Sequence, residues 1–122
     1  MSPRAPRVIP MTPDELRELC LALPQATETF PFDDENSVFK TSGNNKIFAI
    51  SHLADKPLRI SVKVDPEDSI ALQAEFPQIT PGYHLNKKHW ITIVVDGVPD
   101  ELVEQLVHES HALVRPKVER GR

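Results

Sequence analysis

Leu58-Arg59-Ile60-Ser61-Val62-Lys63-Val64 decides the fold. Apolar and polar residues alternate across all seven positions. Successive side chains of a strand point to opposite faces, so this run reads as a strand buried on one face only. Three of its four apolar residues are β-branched, stiff at χ1 and suited to a pleated surface. The other face then carries Arg59, Ser61 and Lys63, which predicts a sheet whose second face is polar.

The flanking segments supply partners for that strand. Ser37 to Thr41 reads as a strand, and Ser42-Gly43-Asn44-Asn45 as a hairpin turn rich in residues that tolerate positive φ. Lys46 to His52 returns as a second strand, with Ile47, Phe48 and Ile50 as its apolar bulk. Farther upstream, Thr12-Pro13-Asp14-Glu15 opens a helix with the pattern of a capping box. Leu16, Leu19, Cys20 and Leu23 follow at i, i+3, i+4 and i+7, and Pro24 stops the helix. Thr27 to Phe32 reads as a Pro-interrupted extended segment in which Phe30 and Phe32 cover the edge of the core. Asp33-Asp34-Glu35 reads as a solvated turn.

Downstream, Asp65-Pro66-Glu67-Asp68 starts a second helix: a capping Asp, Pro in the first position, and acids near the positive end of the dipole. It runs to about Glu75, with Ile70, Leu72 and Ala74 expected inward. Ile79-Thr80 leads into the loop Pro81-Gly82-Tyr83-His84-Leu85-Asn86-Lys87-Lys88-His89-Trp90. The strand Trp90 to Val95 follows, then the turn Asp96-Gly97. Pro99-Asp100-Glu101 opens a third helix whose expected buried stripe is Leu102, Val103, Leu106, Val107, Ser110, Leu113 and Val114, with Pro116 beyond its end. Strand runs joined by short turns, with helices before, between and after, imply an α+β fold: an antiparallel sheet covered by helices on one side, with one or two strands between the last two helices. The expected division is a tail over 1–11, one domain over 12–116 and a tail over 117–122.

A chain of 122 residues, 39% hydrophobic and 26% charged, suits one globular domain with its own core. A formal net charge of -4 argues against a dedicated high-affinity nucleic-acid binder but leaves room for a local basic patch. The single cysteine, Cys20, forms no internal disulfide, lies on a buried stripe and fits a cytoplasmic chain. No run approaches a membrane span, and the N-terminus lacks the apolar core of a signal peptide. With four glycines, at 43, 82, 97 and 121, there is no phosphate-cradling G-x-G-x-x-G, no P-loop and no G-x-S-x-G elbow, so the chain is read as non-enzymatic and without a cofactor.

The 81–90 loop holds the only Trp, the only Tyr, two of the five His and a lysine pair, with no acid. Lys87 and Lys88 suit phosphates; Tyr83, His84, Asn86 and His89 suit further polar contacts. Arg59 and Lys63 would extend the patch if the strands neighbour one another. Trp90 heads an apolar strand and is assigned to the core, although an exposed indole would stack on a base. Glu104, His108 and His111 fall at i, i+4 and i+7 on the third helix. A solvated face is the preferred reading there over a metal site.

The run Pro81 to Ile91, then Val98-Pro99-Asp100-Glu101-Leu102 and Glu109-Ser110, with Val38-Phe39-Lys40 before Lys46-Ile47-Phe48-Ala49, resembles the MmcQ/YjbR-like family over about Thr12 to Val114. The resemblance implies an α-β3-α-β2-α two-layer sandwich, layered like type III secretion chaperones and frataxin-like proteins. It also implies a double-wing grip on DNA, here by the Ser42–Asn45 turn and the 81–90 loop. The expectation is a weak DNA-binding module using Arg59, Lys63, Tyr83, His84, Lys87, Lys88 and His89. The alternative is a protein-interaction or dimerisation module using the same face.

Overall fold

The structure, a computed structural model, describes residues 11–29, 36–52, 57–82 and 85–114. In chain order the elements are α1 (Pro13–Leu21), β1 (Ala26–Thr29), β2 (Asn36–Thr41), β3 (Lys46–His52), β4 (Arg59–Lys63), α2 (Pro66–Glu75), β5 (Ile79–Pro81), β6 (Trp90–Val94) and α3 (Asp100–Val114). The strands form one antiparallel sheet in the order β1-β2-β3-β4-β6-β5. Four strands, not three, therefore separate the first two helices. The additional one, β1, is a short edge strand made possible by Gln25. That residue takes the left-handed region at φ 61 and turns the chain out of α1, and its carbonyl accepts the Ser42 N–H at 2.8 Å.

The alternation in β4 sets the core. Phe39, Ala49, Val62 and Ile91 are cross-strand partners in one row, and Ile60, Ile93 and Ile79 continue the same face. A register shift at Phe39/Lys40 turns both Phe48 and Ala49 into the core. Leu16 and Cys20 from α1 and Val103, Leu106, Val107 and Val114 from α3 complete it. Each fully buried aliphatic or phenyl side chain here stabilises the fold by roughly 1.5–3 kcal/mol. Met11 also joins the core, one residue before the expected domain start. The α1 capping box forms as anticipated, with Glu15 N–H donating to Thr12 Oγ1 at 3.1 Å and Thr12 N–H to Glu15 Oε1 at 2.9 Å.

Two helices are rotated from expectation. In α2, Ile70 is 72% exposed and Ala74 is exposed, while Ser69, Leu72, Gln73 and Phe76 face inward. The helix packs mainly on the three-residue strand β5, and Gln73 Nε2–H donates to Ser69 Oγ at 2.8 Å, so two polar residues satisfy one another under the helix. In α3, His111 replaces Leu113 in the buried stripe: Leu113 is 46% exposed and His111 only 4%. The imidazole packs edge-on against Phe48 at 5.1 Å, and its Nε2–H donates to the Pro24 carbonyl at 2.8 Å. In place of the solvated helix face expected for His111 there is therefore a structural contact between α3 and the turn that follows α1.

The sheet face away from the helices differs from expectation too. Val38, Ile50, Ser61 and Thr92 form a row across it, and Ser61 is fully buried and Thr92 3% exposed. The polar face is thus closed at its centre, and only its rim reaches solvent. No described helix is long and apolar enough to cross a membrane. Phe30, Phe32 and the Asp33–Glu35 cluster lie outside the described residues.

Candidate functional site

The outward strand positions carry three cations, Lys40, Arg59 and Lys63, and no acid among the described residues. Register divides them between two ends. Lys63 pairs with Trp90, and Arg59 pairs with His52 and Val94. At about 3.3 Å per residue, Arg59 and Lys63 stand about 13 Å apart along β4. The basic loop sits at the Lys63 end, so the structure gathers Lys63, Lys87, Lys88 and His89 and leaves Arg59 elsewhere.

Backbone bonds fix the loop there. Val64 N–H donates to the His89 carbonyl at 2.8 Å, and Gly82 N–H to the Trp90 carbonyl at 2.9 Å. Asn86, expected to face a ligand, instead builds the turn: its Oδ1 accepts the Lys88 N–H at 2.9 Å, and its carbonyl accepts the His89 N–H at 3.2 Å. Lys87, Lys88 and His89 are all exposed. Tyr83 and His84 lie outside the described residues.

Trp90 is not in the core. Ile91 and Ile93 point to the helices, so alternation sends Trp90, Thr92 and Val94 to the other face, where Trp90 is half-buried and separate from the hydrophobic cluster. Gly82 lies against it so closely that a Cβ there would stand 2.6 Å from Trp90 Cβ. Any side chain at this position would push the loop away from β6.

The Ser42–Asn45 turn projects from the same end of the sheet, because Thr41 and Lys46 begin the hairpin on the side where β4 ends and β6 starts. Asn45 supplies the positive φ, at 60°, and its N–H donates to the Thr41 carbonyl at 2.8 Å. Asn44 bonds to the Thr41 hydroxyl and donates from Nδ2 to the Val114 carbonyl at 2.8 Å. This turn is therefore pinned to the end of α3, with Lys46 exposed beside it. On the helix side, Lys63 also lines a groove of about 270 Å³ with Val64, Asp65, Asp68, Glu109, Ala112 and Leu113. Three carboxylates thus lie on the helix side of Lys63, across the sheet from the cationic strip.

The other end of the outward face is wired internally. His52 Nδ1 lies 3.1 Å from Asn36 Oδ1, His52 Nε2 is 3.1 Å from Ser61 Oγ, and Ser61 Oγ is 2.8 Å from Thr92 Oγ1. Asn36 Oδ1 only accepts, so His52 Nδ1–H donates to it and Nε2 faces the Ser61 hydroxyl. An amide orienting an imidazole that faces a hydroxyl is the geometry of a nucleophile with its base. Here the hydroxyl is fully buried, so no substrate reaches it. The set links four strands, β2, β3, β4 and β6. Composition and spacing did not reveal it, because the four residues meet only through cross-strand register.

The Cys20 thiol resolves as structural. Burial, and secondarily the charge of Glu28, push the Cys20 thiol up to about 12, so it stays protonated and inert at neutral pH. Glu28 itself accepts from Arg17 Nε–H at 2.7 Å and from the Ser37 hydroxyl at 2.6 Å, which ties α1 to β1 and β2. No group of three or more His, Cys, Asp or Glu among the described residues is placed to hold a metal ion.

Residues 21–113 match the family model described as YjbR. The YbdF protein of Escherichia coli O157:H7 is 40% identical over 100 residues, covering 80% of each chain. The YjbR protein of Escherichia coli K12 is 31% identical over 102 residues, covering 83% of this chain and 85% of that one. Among solved structures, the Deinococcus radiodurans protein DR2400, a DUF419 domain, matches with a TM-score of 0.82 and 47% identity, over 93% of this chain and 86% of that one. A Pseudomonas syringae protein matches with a TM-score of 0.66 and 30% identity, over 74% of this chain and 87% of that one.

Proposed function

We take as premise that the chain belongs to the YjbR family, and we propose that it is a non-enzymatic, weak nucleic-acid-binding module working through the Lys63 end of its sheet. One observation carries the reading. Register brings the Ser42–Asn45 turn, Lys63 and the loop bearing Lys87, Lys88 and His89 to one end of the sheet, where no outward strand position among the described residues is acidic. Lys46, Lys63, Lys87 and Lys88 would neutralise phosphates, and the two turns would act as the paired wings. The binding is weak because only about four cations take part and Asp65, Asp68 and Glu109 lie just behind them. Arg59 contributes little, since it stands at the far end of β4. The single thiol, buried and unpaired, fits a reducing cytoplasmic setting.

The test is fluorescence anisotropy of labelled DNA at low salt. About four phosphate contacts imply a slope of log K against log salt of roughly -3 to -4. Replacing Lys87 and Lys88 together by Ala should shrink that slope by about two and weaken binding to all sequences alike. Arg59→Ala should leave affinity almost unchanged. Unaltered affinity in the double lysine variant would sink the assignment. The alternative is a protein-interaction or dimerisation surface on the same face, with the half-buried Trp90 as its aromatic anchor. A concentration-dependent dimer whose contacts cover Trp90 would favour it.

A further inference from the structure

Building on the nucleic-acid reading above, we infer that the form of nucleic acid this site takes is single-stranded, with one base stacked on Trp90. Trp90 sits in a transverse row between Lys63 on β4 and Gly82 at the end of β5. Gly82 has no side chain, so one flank of the indole has no cross-strand side chain beside it. The other flank carries a lysine whose ammonium reaches a backbone phosphate. This pairs a stacking face with a cation, which is how sheets hold unpaired nucleotides.

A duplex could use only half of that arrangement. Its bases are already stacked on one another and offer Trp90 no face, so only the lysines would contribute. The cationic strip is also narrow. Among the described residues its cations are Lys63 on β4 and the lysine pair of one loop. A single strand a few nucleotides long matches the strip in width, charge and aromatic content. A lone aromatic on a sheet is more often packing than a binding platform. Here Trp90 lies outside the hydrophobic cluster, on the face away from the helices.

The test uses the full chain and its only tryptophan as reporter. Trp90 emission is followed at low salt during titration with oligothymidine of roughly twelve nucleotides, a length within the usual site size, and in parallel with a hairpin duplex of equal phosphate number; anisotropy of the labelled nucleic acids runs alongside. The expected result is quenching by the single strand, binding about tenfold tighter than the duplex, and little change in emission with the duplex. Trp90→Leu should cost about five- to a hundredfold in single-strand affinity and leave duplex affinity in place, whereas Trp90→Phe keeps most of the former. Should the leucine variant fail to fold, the wild-type emission and the phenylalanine variant still decide. Equal or tighter duplex binding, with emission unmoved by oligothymidine, overturns the single-strand inference and leaves the nucleic-acid reading standing. Absence of binding to either probe overturns both.

Discussion

The two ends of β4 carry polar residues on the same outward face and put them to opposite uses. In the middle and toward Arg59, Ser61 spends its hydroxyl on His52 and Thr92, and His52 spends its second nitrogen on Asn36. At the other end, Lys63 stands beside a half-buried Trp90 and an exposed lysine pair. One alternating run thus supplies a structural clamp and a candidate binding strip. Polarity does not separate them; what does is whether the chain itself satisfies the polar groups. A buried polar group is stable only with a partner, so a closed network holds the sheet, whereas an accessible cation is free to meet an outside ligand.

Changes along the strand should separate the two ends and the core beneath them. The largest effect belongs to the opposite face: Ile60→Ala should destabilise by about 2–5 kcal/mol, read from urea unfolding, because Ile60 is fully buried between β3 and β6. His52→Ala comes next. It removes the imidazole's bonds to Ser61 and Asn36 and leaves the Ser61 hydroxyl with Thr92 alone, for a loss of about 1–3 kcal/mol without any change in DNA affinity. A loss of binding at unchanged stability would instead place His52 in the interface. The smallest stability change is expected for Lys87→Ala with Lys88→Ala. Both side chains are exposed, so unfolding should shift by no more than about 0.5 kcal/mol. A larger drop would mean the lysines hold the loop, and the contrast between the two ends would collapse.

Much of this was legible in the residues. Alternation placed β4, the Ser42–Asn45 turn and the return strand, and Thr12-Pro13-Asp14-Glu15 announced the capped start of α1. Alternation also contained the answer for Trp90: with Ile91 and Ile93 inward, the indole belongs to the outer face, and its place at the head of an apolar strand suggested otherwise. The misreadings share a cause. β1 is four residues long and hangs on a left-handed Gln25. The inward face of α2 is chosen by the short strand it meets, and His111 is buried because Pro24 offers it a carbonyl. These depend on what lies across the fold, which local periodicity does not encode. The same holds for the site. Lys87 and Lys88 stand out in sequence, but only cross-strand register joins Lys63 to them and separates Arg59.

The most direct test of the contrast between the two ends is an NMR titration of the isotope-labelled chain with a short oligonucleotide, read residue by residue at low salt. Shifts should concentrate at the amides of Lys46, Lys63, Val64, Lys87, Lys88 and Trp90, while those of His52, Arg59 and Ser61 stay in place. Shifts centred on Arg59 and His52, or on the groove between α2 and α3, would contradict the account.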